Sequence, residues 1–200
     1  MALITGLNAT EALAGGVFLP FSIIMALVSR WASTLVNRMG LASVMAIGCV
    51  VTAIAFAALG GSVRASMLEM GVFPAMALLG AGMGLVVSPL SIAVMAAVDE
   101  SESGLASGVN NAVSRIAGLI AVAALAIVVS AVYAWIAGAS LPQLPGFGSI
   151  MPDANSPALA ALHRKATVSA FFWLCLVTAL LCMAAAATAW ATQPNDERSA

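Results

Sequence analysis

Charge is scarce in this sequence. Asp, Glu, Lys and Arg make up 8% of its 200 residues, against roughly a quarter in an ordinary soluble domain. With 62% hydrophobic residues it has too little polar surface to clothe a water-soluble core. There is one histidine, and the three cysteines, Cys49, Cys175 and Cys182, show no CxxC spacing, so neither a metal site nor a disulfide framework is expected. Packing is the expected role of these thiols, and Cys175 and Cys182 fall on one helix face. No HExxH zinc helix and no GxSxG elbow occur, which leaves no basis for an enzyme or for a cofactor. Basic residues are scattered singly apart from Arg164 and Lys165, and the net charge is -1, so a nucleic-acid partner is not expected. The opening MALITGLNATEALAGG lacks a basic n-region, so no cleaved secretory signal is expected either.

What is present is a set of five long, mostly uncharged apolar blocks, at 12–36, 41–59, 71–94, 107–134 and 168–190. Each is near the ~20 residues a helix needs to cross a bilayer core. Lipid offers the backbone no hydrogen-bond partners, so such blocks satisfy themselves as helices; the short alternating strands of a barrel are missing. The expected class is therefore an all-α integral membrane protein with the lipid bilayer as its solvent. Five crossings put the two termini on opposite sides. Arg30, Arg38, Arg64, Arg115, Arg164, Lys165 and Arg198 divide almost evenly between the sides, with a slight bias toward a cytoplasmic C-terminus. Trp173 and Trp190 lie about 25 Å apart along a helix, which fits two interfacial belts, and Trp31 and Trp135 mark ends of the first and fourth spans. The connector 138–165 holds Pro142, Pro145, Pro152 and Pro157 with Gly146 and Gly148, and reads as a surface loop. Its end is ordered, with Ser156 as N-cap and Pro157 at the first helical position. His163, Arg164 and Lys165 are then expected at the interface, with His163 solvated.

The fourth span carries the sharpest pattern. Gly104, Gly108, Asn111, Arg115 and Gly118 recur at spacings of four, three, four and three, which is one helical stripe. An arginine near mid-membrane costs about 2.5 to 3.5 kcal/mol on insertion scales, so this stripe is expected to face protein or a wet cavity. Asn110, Asn111, Ser114 and Arg115 are the candidate substrate-pathway residues, the arginine suited to an anionic group. The alternative for Arg115 is an anchoring role, its side chain snorkelling to the interface. In the third span, Gly80, Gly84 and Ser88 repeat every four residues as a close-packing face, joined in that role by Gly104, Gly108 and Gly118; Pro89 supplies a kink. Asp99, Glu100 and Glu102 form the acidic run between the third and fourth spans. No carboxylate sits at membrane depth.

These residues carry a resemblance. STLVNRMG (Ser33 to Gly40) resembles the loop motif Gly-x-Leu-Ala-Asp-Arg-x-Gly-Arg-Lys of the major facilitator superfamily in its weaker second-half copy. AGGVFLPFSIIMALVSRW, LLGAGMGLVVSPLSIAVM and GLASGVNNAVSRIAGLIAV look like late spans of its fourteen-span drug:proton antiporter branch. The likeness runs from about Glu11 to Trp190. Leu35, Arg38 and Gly40 match the loop motif, while Ser33 replaces its first glycine, Asn37 its aspartate, and Leu41 and Ala42 its basic pair. The resemblance implies a conformational-switch loop at Leu35, Asn37, Arg38 and Gly40, with Arg38 reaching the Asp99 to Glu102 connector. It implies a cell-membrane location with the N-terminus outside, the loop 138–165 extracytoplasmic and the C-terminus cytoplasmic. It implies transport of a small-molecule substrate, multidrug or metabolite efflux by proton antiport. A facilitator half has six spans and binds substrate between two halves, so the chain corresponds to the last five spans, and a missing N-terminal transporter half, or another membrane chain, is the expected partner. The competing reading is a five-span membrane interaction or scaffold protein with no transport activity of its own.

Overall fold

The structure, a computed structural model, describes residues 15–96, 99, 103–149 and 157–191. Among them there is no strand. Five helices dominate: α1 Phe18–Met39, α2 Leu41–Arg64, α3 Phe73–Ala96, α4 Ser103–Ala137 and α5 Pro157–Ala191. All five segments are long and apolar enough to cross a membrane. At about 1.5 Å per residue, the 22 residues of α1 span about 33 Å and the 35 of α4 or α5 about 52 Å, so even the shortest covers a hydrocarbon core.

The helices run past the ends that hydropathy assigns. α1 continues to Met39, which puts Leu35, Asn37 and Arg38 on its last turns rather than in a connector, with the Arg38 cation well placed at the negative end of the helix dipole. The chain reverses at Gly40 alone, whose φ of 79° is open to glycine and whose N–H donates to the Val36 carbonyl at 2.9 Å. α2 ends at Arg64; Ser66, at φ 57°, and a π turn at Leu68–Val72 lead into α3. α5 starts at Pro157, so the connector from α4 is shorter than 138–165, and a 3-10 turn occupies its first residues, Gly138–Gln143.

Only some neighbours in space are neighbours in sequence. The extensive contacts join α1 to α3, α3 to α2, α2 to α5 and α5 to α4, so the helices form a row in the order α1, α3, α2, α5, α4. Without a hydrophobic drive between helices in lipid, close approach of backbones is what holds such a row. α3 is notched on two sides. A Cβ on Gly80 would collide with the Phe21 carbonyl oxygen, and one on Gly84 would lie 3.0 Å from the Met25 oxygen and 3.2 Å from the Ser29 nitrogen of α1. Ser88 donates to the Ser29 carbonyl at 3.4 Å on that same face. Toward α2, a Cβ on Gly82 would strike Thr52, and one on Gly48 would sit 2.8 Å from Val86. Pro89, inside α3 and buried, has no N–H for the carbonyl one turn back. Between α2 and α5, Gly60 meets Cys175, whose Cβ lies 2.9 Å from where the glycine's would be.

Two apolar clusters result. One gathers Val17, Leu59, Val63, Val72, Ala75, Met76 and Cys175 around the α2–α3–α5 contacts. The other, Val129, Tyr133, Ala166 and Ala170, joins the C-terminal third of α4 to the start of α5.

Candidate functional site

α4 is packed at one end and open at the other. Val129, Tyr133 and Ala137 are buried near its C-terminus, whereas every residue from 111 to 124 is exposed. At 100° per residue, Gly104, Gly108, Asn111, Arg115, Gly118, Val122, Leu125, Val129 and Tyr133 fall on one face. The polar stripe is thus the continuation of the face that packs on α5 lower down. α4 and α5 diverge at a cleft of about 540 Å³ lined by Val122, Leu125, Ala126, Val129, Ser130, Phe147 and Leu174. Beyond it the stripe has no neighbour among the described residues: a Cβ on Gly104, Gly108 or Gly118 would meet none of them within 4 Å.

The substrate-pathway residues separate. Arg115 and Asn111 are exposed and joined along the helix, the Arg115 Nε–H donating to Asn111 Oδ1 at 3.4 Å. Ser114 is also exposed. Asn110 is half-buried with Ser103 and Ala106 on a side of α4 about 130° round from the stripe. Gly80, Gly84 and Ser88 meet α1, as above. In the switch segment Asn37 and Arg38 are exposed, as is Asp99; Glu100 and Glu102 lie outside the described residues.

One expectation is overturned. His163 is not solvated but 3% exposed, because the first turns of α5, which starts at Pro157 as expected, lie under the loop that follows α4. Its Nε2 faces the Ser149 carbonyl at 2.9 Å and its Nδ1 faces the Tyr133 hydroxyl at 2.6 Å. Tyr133 in turn donates to the Pro145 carbonyl at 2.6 Å. The rings of Tyr133 and His163 meet edge to face, centroids 5.8 Å apart, and Phe147 closes on Tyr133 from the loop at 6.4 Å. One turn further along α5, the Thr167 hydroxyl is fully buried with no hydrogen-bond partner among the described residues. Arg164 and Lys165 are exposed, consistent with heads at an interface.

Sequence reasoning did not find Tyr133, Pro145, Phe147 or Ser149. The signal was slight: the chain's one tyrosine and its one histidine sit near facing ends of two consecutive spans. Also unforeseen were Gly48, Gly60 and Gly82, whose role depends on which helices adjoin. The chain matches no protein-family model and no curated protein.

Proposed function

We propose that this chain is the C-terminal membrane portion of a facilitator-type transporter that moves small molecules across the cell membrane, exporting them by proton antiport. The observation that carries the reading is the Asn111–Arg115 pair, a charge and an amide left open on the very face of α4 that is packed lower down. A guanidinium at membrane depth is stable only against protein, a ligand or water, so a partner helix or a wet path covers it. In this reading the missing spans seat against the open half of α4, and substrate passes along Asn111, Ser114 and Arg115, with Asn110 behind them. The segment ending at Arg38 and Gly40 governs switching toward the Asp99 to Glu102 connector. The N-terminus is outside and the C-terminus cytoplasmic. An exposed Arg38 ion pair is worth at most about 1 kcal/mol, so such a switch draws on more than that contact.

The test is a pH-gradient assay in everted vesicles that contain the chain with its partner spans, challenged with a panel of lipophilic cations and small anions. Collapse of the gradient on adding a substrate, lost in Arg115→Ala at equal membrane insertion, is the expected result. No collapse with any of the panel defeats antiport, and full activity in Arg115→Ala removes the arginine from the mechanism. A second reading, a five-span interaction protein without transport, draws on Gly104, Gly108 and Gly118, which leave α4 smooth enough for another helix to approach closely. A defined, stable complex with a second membrane chain and no gradient collapse favours it.

A further inference from the structure

The hydrogen bonds around His163 do not balance for a neutral ring. Three contacts run in series: Ser149 carbonyl to Nε2, Nδ1 to the Tyr133 hydroxyl, and that hydroxyl to the Pro145 carbonyl. Both carbonyls only accept, so Nε2 must carry a hydrogen for Ser149 and the tyrosine must spend its single hydrogen on Pro145. Nδ1 then faces an oxygen with no hydrogen left to offer, and the contact is a bond only if Nδ1 is protonated as well. All three are made by the imidazolium alone. In the neutral ring with hydrogen on Nε2, the tyrosine turns to Nδ1 and Pro145 loses its donor. In the other tautomer, Nε2 presents a lone pair to the Ser149 oxygen at 2.9 Å. Either neutral form gives up one of the two points at which α4 and α5 hold the loop.

We propose that His163 is a proton-binding site whose occupancy latches the Pro145–Ser149 loop onto the ends of α4 and α5. The proton comes from bulk water, and the only bond made is Nδ1–H. An imidazole can carry hydrogen on one ring nitrogen or on both, so the loop has two chemically distinct holding states. The surroundings suit it. From α4 the only titratable group in contact is Tyr133, and residues 138–149 contain no charged side chain. On α5 the adjacent Arg164 and Lys165 are exposed. On α2, packed against α5, Arg64 is engaged with the Phe172 ring at 4.9 Å, about two and a half turns along the helix. Glu69 belongs to the turn that packs on α2 and α3, and Asp153 lies outside the described residues. The latch is independent of whether the chain transports.

The test uses the full chain in lipid nanodiscs. The single histidine gives one pair of ring 15N signals, and a nitroxide on Gly146→Cys reports loop mobility in a background with Cys49, Cys175 and Cys182 changed to Ala. Gly146 is open, its nearest neighbour being Ser149 Oγ at 3.9 Å. At pH 5 both ring nitrogens carry hydrogen and the label is immobilised. At pH 8 one does, and the ratio of seated to free loop falls roughly tenfold, the effect of one charge-assisted hydrogen bond. Tyr133→Phe and His163→Gln flatten the loop's response, and Asp153→Asn leaves it intact. A singly protonated ring with the loop seated at pH 5, an unchanging label between pH 5 and 8, or a wild-type response in Tyr133→Phe each overturns the latch.

Discussion

Replacing Gly80 by alanine should lower stability and replacing Gly108 should not, although both glycines lie inside helices. The propensity term is the same for each, a gain of up to about 1 kcal/mol from removing glycine from a helix interior. What differs is the space. At Gly80 the new methyl overlaps the Phe21 carbonyl oxygen and lies 3.1 Å from both Phe21 C and Cα. Carbon atoms rest at about 3.5–4.0 Å, so α1 must retreat by roughly half an ångström or more, and what blocks it is backbone rather than a side chain able to swing away. Overpacking of this kind costs about 1–3 kcal/mol. The retreat also stretches the Ser88–Ser29 bond, already 3.4 Å, with a further loss of about 0.5–1.5 kcal/mol. The net for Gly80→Ala is a destabilisation of about 1–3 kcal/mol. At Gly108 nothing lies within 4 Å, so the propensity gain stands alone. The assay is helical circular dichroism on heating in detergent micelles, with the chain alone. Gly80→Ala should lower the midpoint by several degrees and Gly108→Ala should raise it or leave it unchanged. A Gly80→Ala protein as stable as wild type would refute the close α1–α3 approach; a destabilised Gly108→Ala would mean that the α4 stripe is already packed. With partner spans present, Gly108→Ala should turn unfavourable if a helix seats there.

Two further substitutions probe other parts of the row. Thr167→Val removes a buried hydroxyl that bonds to none of the described residues, so stability should hold or rise by up to about 1–2 kcal/mol in the same melting assay, and a loss of more than about 1 kcal/mol would mean a hidden partner. Gly40→Ala forces a Cβ into φ 79° at the single residue between α1 and α2, with an expected cost of about 1–2 kcal/mol; an unaffected midpoint would show that the turn relaxes to another conformation.

The long uncharged blocks were enough to establish helices, their number and their solvent. Lipid leaves a backbone no other option, and that constraint acts within each segment, so it is written in local composition. The close-packing face of Gly80 and Gly84 was legible for the same reason, being a repeat along one helix. Where the helices end was less so: Asn37 and Arg38 are polar enough to look like a connector, yet they continue α1, because the backbone freedom of Gly40, not polarity, decides the turn.

Composition and spacing, then, determined the class of the molecule, since hydrophobic length and helical period are properties of a single stretch of chain. Only the tertiary arrangement decided that α3 stands between α1 and α2, that Gly48, Gly60 and Gly82 are points of contact, and that the Arg115 stripe opens onto none of the described residues while its continuation is buried. It also decided that His163 is enclosed, because the hydroxyl and the carbonyl that meet it come from a helix and a loop 14 to 30 residues away. Contacts between segments depend on which backbones can approach, and no one segment carries that information.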